Sequence, residues 1–187
     1  MIQPLRQILT IAALTLSGTV GAIVVGLCTY GTDVFNVTSP GFSFVSFGLS
    51  GSLVFAFYHV RGLSESITAA VVVSAVQFVV ASQFIEWLRA VLFSFGLNLP
   101  VIALAFVFER KLAPLARWKF LVVGMMYGAM FVVLTLIVDL LAGPGGGLPA
   151  SLFRENLLDG LLLGWGLGIG IEGGEALVHS FEHPRKA

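Results

Sequence analysis

Charge is what this sequence has least of. Ten Lys and Arg and ten Asp and Glu make up 11% of 187 residues, where soluble domains carry about a quarter. With 57% hydrophobic residues and a mean hydropathy of +0.99, the chain reads as a polytopic membrane protein. Six spans of about 20 residues take about 120, and the remainder suffices only for short connections, which excludes a soluble domain. A net charge of zero and the lack of a basic stripe exclude nucleic acid as a partner. The single cysteine, Cys28, excludes an internal disulfide, and inside the first apolar run it is expected to pack as a small hydrophobe. Also missing are an HExxH, a CxxC, a phosphate loop and carboxylates paired at a fixed short spacing. Neither an enzyme nor a cofactor is expected.

What is present is a succession of apolar runs, read as spans over about 8–30, 41–60, 67–87, 90–109, 120–142 and 152–178. The whole chain is then one all-α transmembrane domain. The first run, with Arg6 before it, has the layout of a secretory signal, but it continues past any cleavage site and five more follow. The end of the third span has two versions. The helix either continues through Glu86 and Arg89 to about Phe95, or stops near Glu86 so that a fourth span starts at Ala90. Pro100 kinks or begins that fourth span. Residues 143–149, GPGGGLP, cannot continue a helix and form a turn.

Cations decide the topology. Arg6, Arg61, Arg110, Lys111, Arg117, Lys119, Arg185 and Lys186 fall on one side, and Arg89 and Arg154 on the other. Under the positive-inside rule both termini face the cytoplasm, and a bacterial inner membrane is the expected location.

Small residues decide the packing. Helices in lipid associate through close backbone approach, and three stretches offer it: Ala13, Ser17 and Gly21 in the first span, Gly124 and Gly128 in the fifth, and the glycines of the sixth. That last helix carries Gly160, Gly164 and Gly168 in one row and Gly166, Gly170 and Gly174 in another. Two rows imply neighbours on two sides, which places this helix in the middle of the bundle.

The remaining polar residues are the candidates for chemistry. Glu86 and Arg89, with Ser82, share a helix face and can pair. Together with Asp139, Arg154, Glu155 and Asp159 they form a candidate outer cluster, suited to a small polar solute or to a buried structural network. The alternative is that Asp159, Glu172 and Glu175 simply flank an apolar span. Near the other side Glu175, His179 and His183 follow at spacing four, a weak metal set, and a haem held by His59 and His179 is the other cofactor arrangement the residues allow. Gly48-Leu49-Ser50-Gly51 matches the GxSG around the nucleophile of rhomboid-type intramembrane proteases. Those enzymes need a histidine on another helix at the same depth, and here His59 is on the same helix while His179 falls near a membrane surface. The sequon at Asn36-Val37-Thr38 is of a length common by chance.

Two functional expectations follow. Small-residue faces, tiny loops and the missing catalytic constellations point to an accessory or assembly subunit of a larger membrane complex, in contact with lipids and with other membrane subunits or further copies of itself. In size, six spans, inside termini and a small-residue first helix, the chain also resembles the substrate-binding subunits of energy-coupling-factor vitamin transporters. That resemblance is in outline and implies a small-solute binding or transport component.

Overall fold

The computed structural model describes residues 3–83 apart from Thr38 and Pro40, isolated positions between 87 and 137, and residues 150–182, with side chains in this last stretch from Leu158 to Ser180. The described residues are helical, without strands. Four long helices account for most of them: α1 (Gln3–Tyr30), α2 (Phe42–Arg61), α3 (Leu63–Ala81) and α4 (Ala150–Glu182). Segments of all four are long and apolar enough to cross a membrane, the property expected of a membrane-embedded helical bundle. The fourth and fifth expected spans fall mostly outside the described residues, and Gly124 and Gly128 are among the residues that do.

The helices are long because nothing interrupts them. Pro4 sits in the first turn of α1, where its missing N–H removes no helical bond. In lipid every backbone polar group must be satisfied within the segment, and hydroxyls along the helices follow the same rule. Thr10 donates to Arg6 O (3.0 Å), Thr19 to Thr15 O (2.7 Å) and Thr29 to Val25 O (3.0 Å), each bonding back one turn. Ser52 does likewise to Gly48 O at 2.6 Å.

Two glycines end helices. Gly31, at φ 57°, turns α1 into a short 3-10 segment, Gly31–Phe35, whose Val34 is buried. Gly62, at φ 87° and ψ −169°, separates α2 from α3 as a one-residue corner. The helix therefore starts at Leu63 rather than near Ile67. At its far end α3 stops at Ala81, with Ser82 and Gln83 in a turn and Ser82 N–H bonded to Phe78 O (2.9 Å). Glu86 and Arg89, on which the two versions of this span's end differ, lie outside the described residues.

Small residues set which helices meet. A Cβ on Gly166 would come within 2.7 Å of Gly21 O and 3.0 Å of Ala22 Cα, and one on Gly170 within 2.8 Å of Gly18 Cα. One on Gly174 would meet the Ser17 hydroxyl and lie 3.3 Å from Ala13 O. The row Ala13, Ser17, Gly21 thus lies antiparallel against the row Gly174, Gly170, Gly166, with the two backbones in contact. On its other side α1 meets α2: a Cβ on Gly18 would lie 2.9 Å from Ser52 Cβ, one on Gly48 2.6 Å from Ala22 Cβ, and one on Gly26 2.8 Å from Phe44 Cβ. Among the described elements α1 therefore holds the central place, between α4 and α2, and α3 packs on α2. The core joins Leu14 and Ala22 of α1, Phe44, Val54 and Phe55 of α2, Ala70 of α3, and Leu163, Leu167 and Ile171 of α4. Gly160, Gly164 and Gly168 are buried as well. Cys28 is exposed on α1, a correction to the packed position expected for it: the α1 faces that meet neighbours are taken by Gly18, Ala22 and Gly26 on one side and Gly21 on the other.

Candidate functional site

The antiparallel pairing fixes the height of every polar group. The start of α1, the Gly62 corner and the end of α4 share one end of the bundle; Tyr30, the 3-10 segment and Asp159 share the other.

At the Tyr30 end, the tyrosine hydroxyl donates a hydrogen bond to Asp159 Oδ2. The ring that aims it is fixed by packing. It stands 6.0 Å from the ring of Phe44 at a tilt of 56°, and a Cβ on Gly41 would touch it at 2.9 Å. Asp159 is thus tied across the α1–α4 seam. Of the residues expected to cluster with it, Glu86, Arg89 and Asp139 lie outside the described residues, and the side chains of Arg154 and Glu155 do too.

At the other end His59 Nε2 of α2 lies 3.7 Å from Glu175 Oε1 of α4, with the side chains 29% and 42% exposed. This links the two helices that flank α1. Along α4, Asp159 and Glu175 are separated by sixteen positions, about 24 Å at ~1.5 Å per residue. A hydrocarbon core is about 30 Å thick. The two cross-helix pairs are thus separated by a little less than the thickness of a hydrocarbon core, and the seam of small residues runs between them.

The other polar contacts tie α3 to α2. Gln77 Nε2 donates to Ser46 O (3.1 Å) and Ser46 Oγ (3.0 Å), and the buried Ser66 hydroxyl donates to Val54 O (3.0 Å). Reasoning from sequence passed over Gln77, Ser46, Ser66 and Tyr30. The available signal for Gln77 was its isolation, a lone amide in an apolar helix that needs a partner inside the bundle.

Ser50 of the GxSG string is buried and donates to Phe47 O of its own helix at 3.4 Å. A backbone carbonyl of that kind cannot act as a general base. Of the weak metal set, Glu175 stands against His59, His179 is exposed and His183 lies outside the described residues. Among the described residues no group of three or more His, Cys, Asp or Glu side chains gathers as metal ligands would. Thr38 of the sequon is outside them.

One shallow concavity lies among the described residues. An open groove of about 600 Å³ runs between α1 and α2 at the Gly62 end, walled by Ile11, Thr15, Leu53 and Phe57 with Arg61 and Glu65 at its mouth. It lies at the opposite end of the bundle from Asp159. Comparison with known proteins finds no matching family, no similar curated protein and no similar solved structure.

Proposed function

We propose that this protein is an accessory or assembly subunit of a larger membrane complex, with both termini in the cytoplasm. The observation that carries this reading is the disposition of the polar side chains among the described residues. Asp159 is hydrogen-bonded to Tyr30 and Gln77 to Ser46, and Glu175 faces His59 within ion-pair reach, each across a helix boundary. A solute site would turn such groups toward a common cavity; here each serves to hold two helices together. The positive-inside count supports the orientation, and the shared end of the α1 start, the Gly62 corner and the α4 end is compatible with it.

The small-residue seam between α1 and α4 is internal, so a partner must meet the bundle elsewhere. Leu16, Val20 and Val24 of α1 and Val72, Val76 and Val79 of α3 are more than half exposed and are among the surfaces available to subunits and lipid. Blue-native electrophoresis of mildly solubilised native membranes tests the reading. The chain, 19.9 kDa by itself, is expected in an assembly several times that mass. Migration as a single chain that retains a small polar solute would instead support the solute-binding alternative, the reading similar in outline to the vitamin-transporter subunits.

A further inference from the structure

The groove between α1 and α2 has a shape and a charge pattern that the assembly reading leaves unused. The two helices are drawn together where Gly18 meets Ser52 and Ala22 meets Gly48, and toward the Gly62 end Leu53 and Phe57 line the groove between them. Its walls are apolar from Phe57 to Leu16, and the exposed Leu16, Val20 and Leu49 continue them toward the middle of the span. At the mouth the exposed Arg61 and Glu65 stand on either side of the Gly62 corner. Within the wall Thr15 is 7% exposed and its Oγ1 has no hydrogen-bond partner. An unmet buried hydroxyl is costly, and one rotamer change exchanges it with the methyl group.

We propose that the groove binds one phospholipid with a phosphoethanolamine headgroup. One cation and one carboxylate at the mouth match the phosphate and the ammonium of that headgroup, with Arg61 donating to the phosphate and Glu65 accepting from the ammonium. A choline headgroup offers Glu65 no N–H, and a glycerol headgroup offers it no charge. One acyl chain lies along Phe57, Leu53 and Leu16; the Thr15 hydroxyl, closed off from the groove in the present rotamer, reaches an ester carbonyl beneath the phosphate once it exchanges places with the methyl group. The volume of about 600 Å³ falls in the range of small-molecule sites, and a basic residue at a groove between helices near one membrane face is a setting in which lipid headgroups bind. Such binding requires only that the bundle be embedded in a bilayer.

Native mass spectrometry of the purified full chain, loaded with an equimolar mixture of phosphatidylethanolamine, phosphatidylcholine and phosphatidylglycerol of matched chains, tests it. The ethanolamine lipid is expected to be retained about fivefold over the choline lipid, a difference of about 1 kcal/mol. Glu65→Gln should remove that preference, Arg61→Gln should weaken retention of all three lipids, and Thr15→Val should weaken it to a smaller degree. Arg6→Gln, a cation at the same end of the bundle outside the groove, should change nothing. Ala12→Phe fills the groove from an exposed position and should abolish retention while the protein stays monodisperse. On the unsubstituted protein, a lysophospholipid with the ethanolamine headgroup should displace the bound lipid and free phosphoethanolamine should not. Equal retention of the three lipids, a preference that survives Glu65→Gln, or equal losses in the Arg6 and Arg61 variants would overturn the proposal.

Discussion

Gly62 occupies backbone space that a side chain all but forbids: φ 87° with ψ −169° belongs to a region adopted essentially by glycine alone. The corner it makes brings Ser66 under α2, where the Ser66 hydroxyl reaches Val54 O. Gly62→Ala is therefore expected to lower stability by about 1–3 kcal/mol, read as earlier loss of monodispersity on heating in detergent. An unchanged midpoint would show that the corner relaxes at no cost. The bond between Tyr30 and Asp159 is expected to be worth about 1 kcal/mol, since polar contacts in lipid are partly replaced in the unfolded reference state. A double-mutant cycle of Tyr30→Phe and Asp159→Ala isolates it; the two effects are expected to overlap, and strict additivity would deny the coupling. Asp159 stood out in the sequence as a charge inside an apolar helix. Tyr30 did not, because a tyrosine at the end of a span reads as an interfacial anchor and nothing in its neighbours names a partner 129 positions away.

Between elements the decisive surface is the α1–α4 seam. Its steepest contrast is within one turn of α4. Gly170 has the Ser17 backbone against it, while Gly173 is exposed, and a Cβ there would have nothing within 4 Å. Gly170→Ala is expected to cost about 1–3 kcal/mol by overpacking, more if the helices separate, and Gly173→Ala is expected to be neutral or to stabilise by up to about 1 kcal/mol, the usual gain from a helical glycine without packing duties. Thermal unfolding of the two variants side by side checks the pair, and equal effects would mean that the seam is not the close contact described. The small-residue rows were legible in the sequence because they recur at spacing four. Which row meets which was not, since Gly160, Gly164 and Gly168 form an equally regular series and periodicity carries no information about the neighbour. The start of α3 is hidden in the sequence for a related reason: Ser64, Glu65 and Ser66 look like a polar loop, yet one glycine completes the turn and they enter the helix.

For the whole molecule, membrane embedding and helical class follow from composition alone, because 11% charge and 57% hydrophobic residues leave little else for the chain to be. The pairing of polar groups follows from tertiary geometry and was only partly readable. His59 and Glu175 each read from sequence as a ligand candidate; that they face one another depends on the register in which α2 and α4 flank α1. What these contacts share is that they fasten helices, which is why the protein is read as a component that shapes and joins a larger assembly. The most direct measurement is extraction from the native membrane in a gentle detergent, followed by mass spectrometry of every protein and small molecule that elutes with the chain. The account predicts other membrane polypeptides at fixed stoichiometry, persisting when Asp159 is replaced by Asn. Elution of the chain without other polypeptides, with a polar solute that is lost in the Asp159→Asn variant, would contradict it.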